Sequence, residues 1–359
     1  MKNRSRAVLC MRKKSRAKDW APVSVIVHNF KGTNKLERCL SSIVNSDYPM
    51  FEIIVVDGLT EGIEDWIQRH FPMVKLIHFN YDGGIPARLN AAFASVNTCS
   101  KYIARLDDDM AVHKKWLHFL VGAMEHDPTI GFAQSLLLKA KKRKQVDCLG
   151  GFLDRVGYTY LYPFDSKTGG ARALDDIREI SYAIAGLMRR EALDRLSTSK
   201  KPFDDDYFIH WYDIDLSWRI QLAGYKVVLI PSSIVYHERR LTSGRSNLLD
   251  RNIFLNTRNR MMTLIKNYSL WNLIWYFPLR MLFEAAEVIA LLRKRPDHAR
   301  ATVHGILWVL RNFKSVWKKR IFVQNFIRKV PDSHIFTRFV RINPLQLYRD
   351  FQRHYPEVS

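Results

Sequence analysis

Three consecutive carboxylates, Asp107, Asp108 and Asp109, follow the apolar-rich run Tyr102-Ile103-Ala104 in the stretch Arg105-Leu106-Asp107-Asp108-Asp109-Met110. Adjacent anions repel one another, so a fold that sets them at the end of a buried strand calls for a cation to hold there. Ligands of open α/β sheets bind beyond the carboxyl ends of the strands. Asp107 to Asp109 are therefore a candidate metal and phosphate site, with a solvated acidic turn as the alternative. Asp204-Asp205-Asp206 serves as the contrast, because it follows a Lys-Lys-Pro-Phe loop and not a strand. Asp213 opens the helical stretch Tyr212 to Ile220, where the helix dipole keeps a carboxylate ionised and simple capping is its other role. His237 closes Val235-Tyr236-His237, as a structural histidine or a ligand. Together these residues offer metal carboxylates, a separate base and an imidazole.

The elements that must position them alternate in type. Val23 to Val27 is a β-branched run that leads through a loop-like His28-Asn29-Phe30-Lys31-Gly32 into helical spacing at Leu36, Cys39, Leu40 and Ile43. Phe51 to Val56 ends at Asp57-Gly58, and Ile63, Trp66 and Ile67 are again helically spaced. Val74 to Phe79 precedes a Gly83-Gly84 turn and a helical Ala87 to Val96, after which the strand from Tyr102 delivers the acidic cluster. Such alternation argues for a parallel sheet covered by helices on both faces, of the nucleotide-binding type. Asp57 sits where a carboxylate could accept from a base or ribose, or cap the next helix. In Asn80 to Asn90, glycines permit close approach, a helix start favours phosphate and Arg88 adds a cation, although an ordinary loop reads the same way. Trp116 to Met124 reads as a helix, Ile130 to Leu138 as a strand, Lys139 to Lys144 as a solvated loop, and residues 150–180 as an irregular rim. Gly224 stops the helix that Asp213 opens, and Lys226 to Pro231 is a further strand.

At 359 residues, 47% hydrophobic and 26% charged, the chain can bury a sizeable core. Its net charge of +22 is uneven: residues 1–20 carry +7 and residues 239–359 carry +16, leaving the body between them at −1. A basic leader and a basic C-terminal third imply an anionic surface as partner. Nucleic acid is not expected, since the near-neutral body shows no recognition motif. Four cysteines, at 10, 39, 99 and 148, form no metal-ligand or disulfide pattern, which fits a reducing, intracellular compartment. The leader lacks the apolar core of a secretory signal and reads as a disordered basic arm.

These motifs, in their order, resemble the inverting glycosyltransferases of family 2. The resemblance runs from Val23-Ser24-Val25-Ile26-Val27 through Leu36 to Ile43, Glu52 to Asp57, Arg88-Leu89-Asn90, Leu106 to Asp109 and Asp213 to Leu216, to Arg219, Gly224-Tyr225 and His237. Rhamnosyltransferase-like and surface-polysaccharide enzymes of bacteria and archaea are among the similar proteins. It implies an α/β GT-A fold with a Rossmann-like open sheet, and a hexosyltransferase-type enzyme using Mg²⁺ or Mn²⁺. Carried over, it puts Asp57 on the nucleotide's base or ribose, makes Asp107 and Asp109 an Asp-x-Asp pair, Asp213 the catalytic base, and Asp109 with His237 the metal ligands. Arg88, Asp107 and Asp108 would bind the nucleotide sugar; by position alone, and not from the resemblance, Arg245 joins them, and with Arg239 and Arg240 just beyond His237 it could close over the diphosphate. The acceptor implied is a hydroxyl on a lipid-linked glycan or surface-polysaccharide precursor. A polyprenyl phosphate is the alternative, and a basic nucleic-acid- or membrane-binding protein is the non-enzymatic one. The chain departs from the family where Tyr212 replaces an acidic residue before the base, and at Gly58-Leu59-Thr60-Glu61.

The expected organisation is a basic arm at 1–20, a catalytic domain at 21–245 and a basic helical region at 246–359. Leu270 to Leu292 is long enough to test as a membrane span, but Arg280, Glu284 and Glu287 fall in its middle on one helical face. Charges at mid-bilayer cost about 2.5 to 3.5 kcal/mol each, so a helix lying in the interface fits better, with Trp308, Phe313 and Trp317 among Lys and Arg as a second surface segment. Ordinary packing on the catalytic domain is the other account. A peripheral position on the cytoplasmic face of a membrane is the expected location.

Overall fold

A computed structural model describes residues 20–161, 177–197, 199, 201–238 and 246–340. The basic arm, Arg239, Arg240 and Arg245 lie outside them. The first half alternates as expected: β1 (Val23–Phe30), α1 (Asn34–Val44), β2 (Phe51–Gly58), α2 (Ile63–His70), β3 (Lys75–Phe79), α3 (Ile85–Ala94) and β4 (Tyr102–Asp107). There follow β5 (Met110–Val112), α4 (Trp116–His126), β6 (Ile130–Lys139), β7 (Lys142–Cys148), β8 (Gly151–Leu153), β9 (Thr159–Leu161), β10 (Arg178–Glu179), β11 (Gly186–Arg189), α5 (Arg190–Arg195), α6 (Tyr212–Leu222) and β12 (Lys226–His237).

The main sheet runs β10-β12-β6-β11-β4-β1-β2-β3, with β5 paired to β12 and β7 to β6. Strands β4, β1, β2 and β3 are parallel, as are β6 and β12, but β11 runs antiparallel to both β4 and β6. The sheet is therefore mixed, which corrects the all-parallel expectation. Period-two alternation sends Val23, Val25 and Val27 into a core with α1, α2 and α4, while Ile26 joins the opposite core with α3 and α6. Residues expected as a solvated loop at 139–144 form the turn of a β6–β7 hairpin, whose lysines lie on an edge strand. Within the region expected to be irregular, β8 pairs with β9 and β10 with β12; residues 162–176 lie outside the described chain.

The C-terminal third consists of α7 (Ser246–Asn267), α8 (Leu270–Leu291), α9 (Pro296–Arg311), α10 (Phe313–Phe322), a π-helical turn (Val323–Ile327) and α11 (Asp332–Phe336). These helices share the core of the main sheet: Met261, Leu264, Tyr268, Val316 and Ile327 pack in one cluster with Trp218 and Val227. Among the described residues no helix is long and apolar enough to cross a membrane. The mid-helix charges of α8 turn inward, Arg280 Nη2 lying 2.6 Å from Glu284 Oε1 with both side chains fully buried. The opposite face exposes Trp271, Trp275, Leu282 and Ile289, each more than 60% accessible.

Asp204-Asp205-Asp206, the expected solvated contrast, is the seam between the two regions. Asp204 lies 2.6 Å from Lys266 Nζ on α7 and also pairs with Lys319 on α10, and Asp206 accepts from the same Lys319 at 2.5 Å. Asp205 accepts from Asn90 Nδ2 on α3 at 2.6 Å. Burial would raise the Asp204 carboxyl, but the two ammonium groups override it and hold the group well below the usual carboxylate range. Its contribution is complete above the unfolded-state value of about 4 and is lost as pH falls below it. Asp204→Ala removes one carboxylate from each lysine but leaves Lys319 on Asp206 and Lys266 on Asp215, and the expected loss is about 1.5 to 3 kcal/mol, read from urea unfolding at neutral pH. The gap between variant and wild type should close as the pH is lowered.

Candidate active site

The parallel strands deliver the candidate residues to one edge. Register sets His28 of β1 opposite Asp107 of β4, and Asn29 opposite Asp57 of β2, at the carboxyl ends of all three strands. After β4 the chain turns into β5, which pairs antiparallel with β12 so that Met110 faces His237. Asp109 is the residue before Met110, and its Oδ1 stands 3.5 Å from His237 Nε2. Hairpin strand β7 contributes Asp147, whose Oδ2 is 2.8 Å from His237 Nδ1. Burial alone would lower the imidazole's pKa, but hydrogen bonds to Asp109 and Asp147 outweigh it and lift it to about 9.

The donor set fits a divalent cation. A carboxylate on Nδ1 orients a ligating histidine and leaves Nε2 to face the metal, and here Nε2 faces Asp109. Among the described residues no three His, Cys, Asp or Glu side chains form a complete ligand set. A cation at Asp109 and His237 would thus take its other oxygens from phosphate and water, as Mg²⁺ sites commonly do.

Asp107 belongs to a different network. Arg105, two residues earlier on the same strand face, places Nη2 2.8 Å from Asp107 Oδ1, and His28 Nδ1 lies 3.5 Å from the same oxygen. Burial opposes ionisation of Asp107, yet Arg105 and His28 prevail and hold its pKa far below the ordinary value. Arg88 Nε donates to His28 Nε2 at 3.2 Å. Burial lowers the pKa of His28, consistent with a neutral ring that accepts from Arg88 and donates to Asp107.

Three residues expected on the nucleotide are turned inward. Arg88 is 2% exposed and spends its guanidinium on His28 and Asp82; a Cβ on Gly58 would come within 2.2 Å of its Nη1, so glycine makes room for it. Asp57 is fully buried and accepts from Asn29 Nδ2, from the Thr60 backbone and hydroxyl, and from His78 Nδ1. Asp108 is also buried: its N–H donates to His28 O at 2.9 Å and its carboxylate accepts from the Phe30 N–H. In this structure all three brace the strand ends. The first amide of α3, offered as a phosphate site, instead donates to Phe208 O at 2.7 Å. Gly84 permits that approach, with φ of +81° and no space for a Cβ.

Asp213 lies in the first turn of α6, and its Oδ1 accepts from the Ile214 N–H at 2.9 Å. Burial raises its pKa, with Arg105 partly opposing. It lines a cavity of about 330 Å³ together with Tyr182, Ile184, Trp211, Tyr212 and Asn256. Tyr212, the departure from the acidic residue expected before the base, directs its hydroxyl to Arg105 Nη2 at 2.6 Å. A neutral acceptor thus meets Arg105, whose charge is left to Asp107 and Asp213. The loop before α6 is strained, since Phe208, His210 and Trp211 all have positive φ, between 61° and 66°. Sequence reasoning missed His28, Arg105 and Asp147. The i, i+2 spacing of Arg105 and Asp107 was a usable signal, whereas nothing local marks Asp147.

The glycosyl transferase family 2 model matches residues 24–196. An uncharacterized glycosyltransferase from Haemophilus influenzae is 31% identical over 113 residues, 30% of this chain and 34% of that protein. The chain therefore spans about a third of the curated relative it matches. In fold it resembles GalNAc-T7, solved with UDP, GalNAc and Mn²⁺, at a TM-score of 0.57 and 16% identity, covering 83% of this chain and 58% of that one. The mannosyltransferase PcManGT from Pyrobaculum calidifontis, solved with GDP-Man and Mn²⁺, aligns at a TM-score of 0.49 and 17% identity over 85% of this chain and 86% of its own. Asp213 and His237 lie beyond the matched segment, so their assignment rests on the geometry above. The sheet order, the strand-end carboxylates and the family match agree: residues 24–196 match glycosyl transferase family 2, and the fold is of the GT-A type.

Proposed function

We propose that this protein is a metal-dependent inverting glycosyltransferase, which moves a sugar from a nucleoside diphosphate sugar to an acceptor hydroxyl. The observation that carries this reading is the arrangement around Arg105, whose Nη2 lies 2.8 Å from Asp107 Oδ1 at the strand end and 2.6 Å from the hydroxyl of Tyr212, the residue before Asp213. Arg105 holds Asp107 ionised, while burial pushes Asp213 upward beside a cavity large enough for a ligand. Two carboxylates whose environments push them in opposite directions suit separate charge-holding and proton-moving roles. Asp213 takes the proton of the acceptor hydroxyl as its oxygen attacks the anomeric carbon. Tyr182, Trp211 and Tyr212 present aromatic surface on which a sugar ring can lie. Asp109 and His237 would hold Mg²⁺ or Mn²⁺, which supplies Lewis-acid stabilisation of the departing diphosphate. Asp147 keeps His237 in the orientation this requires.

The acceptor in this reading is a lipid-linked glycan or a surface-polysaccharide precursor, met at the cytoplasmic face of a membrane. Support comes from α8, where Trp271, Trp275, Leu282 and Ile289 form one outward stripe and Arg293, Lys294 and Arg295 follow its end. Tryptophan and basic residues around an apolar face suit an interfacial helix on anionic lipid.

Donor identity is tested with UDP-, GDP- and dTDP-linked sugars and Mn²⁺, following binding and slow hydrolysis. One donor should bind, and chelator or Asp109→Ala should abolish it; no binding to any donor would overturn the transferase reading. Asp147→Asn should weaken Mn²⁺ affinity by about 10- to 100-fold in titrations with the nucleoside diphosphate.

Asp213→Asn should lower turnover by about 10² to 10⁴-fold with donor binding retained. Because the ionised form is the base and burial raises its pKa, wild-type kcat should fall on acidification at a pH above the ordinary aspartate value of about 3.9, and Asp213→Asn should lose that limb.

Vesicles of phosphatidylcholine with phosphatidylserine should pellet the protein at low salt and release it at high salt. Trp271→Glu with Trp275→Glu should abolish pelleting while hydrolysis of free donor is unchanged. Pelleting that survives the double variant would rule out the α8 face.

A further inference from the structure

We propose that Asn259, on α7, is a positioning residue for Asp213, so that the C-terminal helices are part of the catalytic apparatus as well as its flank. This rests on the transferase reading and adds a residue outside the segment matched by the family model. The Asn259 side chain is fully buried. Its Nδ2 lies 2.9 Å from Tyr207 O, 2.8 Å from Ile209 O and 3.0 Å from His210 O, so one amide group gathers three carbonyls of the same loop. Its Oδ1 accepts from Arg258 Nε at 2.9 Å, which sets which end of the amide faces the carbonyls. Arg258 Nη2 also donates to Tyr207 O at 3.1 Å, and Thr263, one turn further along α7, bonds the Tyr207 hydroxyl at 2.6 Å.

The gathered segment is the one whose backbone is strained. Phe208, His210 and Trp211 have positive φ without being glycine, and such conformations persist only where the surroundings hold them. Ile85 N–H holds Phe208 O from the α3 side, and Asn259 holds the remainder from α7. Trp211 is the N-cap of α6 and Asp213 follows two residues later, so the path of this loop sets the direction in which the carboxylate enters the cavity. Without donors at position 259, three carbonyls lose a common partner and the loop is free to relax toward negative φ, turning the first turn of α6 with it.

Asn259→Asp keeps the size of the side chain and exchanges the donor for an acceptor. Turnover of the donor sugar should fall at least tenfold, while the Kd for UDP or GDP with Mn²⁺, whichever the wild type binds, stays within twofold. In an Asp213→Asn background the same substitution should change the residual rate less than twofold, because a residue acting through the base has nothing left to act on. If Asn259→Asp does not fold, Asn259→Ser removes the amide with less charge and must show the same split and the same non-additivity. Turnover within twofold of wild type, nucleotide affinity lost in parallel with turnover, or an undiminished effect in the Asp213→Asn background would each overturn the assignment. A wild type that turns over no donor at all overturns the transferase reading and this assignment with it, whereas an active wild type with an indifferent Asn259→Asp overturns the assignment alone.

Discussion

The contact between Arg105 and Asp107 is the constraint on which the site depends. Three adjacent aspartates at the end of one strand are tolerable only if each meets a different compensating environment. Asp107 turns to Arg105 and His28, Asp108 turns back to the β1 backbone, and Asp109 turns to His237. The same Arg105 reaches the Tyr212 hydroxyl and acts electrostatically on Asp213. One buried guanidinium thereby couples the strand-end carboxylates to the helix that carries the proposed base. A phenol in place of a second carboxylate leaves that guanidinium less neutralised, so that it opposes the rise that burial imposes on Asp213.

The second aspartate triplet shows how the same composition serves a different end. Asp204, Asp205 and Asp206 meet lysines from α7 and α10 and an asparagine from α3, and they join the C-terminal helices to the sheet. Part of the positive charge of the C-terminal third is therefore structural. Lys266 and Lys319 are committed to the seam, Arg280 to Glu284 inside α8, and Arg320 to the carbonyls at the end of α7. What is left for an anionic surface is the exposed remainder, which includes Arg293 and Lys294. The catalytic sheet and the helical third share one hydrophobic core, so the loop before α6 is held by both.

Much of the catalytic half was legible because its signals are local. Alternating apolar runs, glycines at turns and helical spacing located β1 to β4 and the helices between them. The acidic cluster stood out because carboxylates follow an apolar strand. Roles were harder to read than places. Arg88 and Asp57 lie where a ligand contact was expected, and both are buried with partners inside the protein, which depends on neighbours that periodicity does not name. Residues 139–144, the turn and flank of the β6–β7 hairpin, read as a solvated loop because charge on an edge strand looks like solvation.

Residue types and their order determined by themselves the α/β class, the resemblance to family 2, the carboxylate cluster and the candidate base and imidazole. Tertiary structure decided which of these groups meet. Pairing of β5 with β12 brings Asp109 to His237, and the return of β7 brings Asp147 behind it, from positions 38 and 90 residues apart in the chain. Antiparallel insertion of β11 makes the sheet mixed, and α7 lays Asn259 on a loop about 50 residues upstream. Local spacing carries information over a few residues, whereas hydrogen-bond partners and burial are properties of the closed chain.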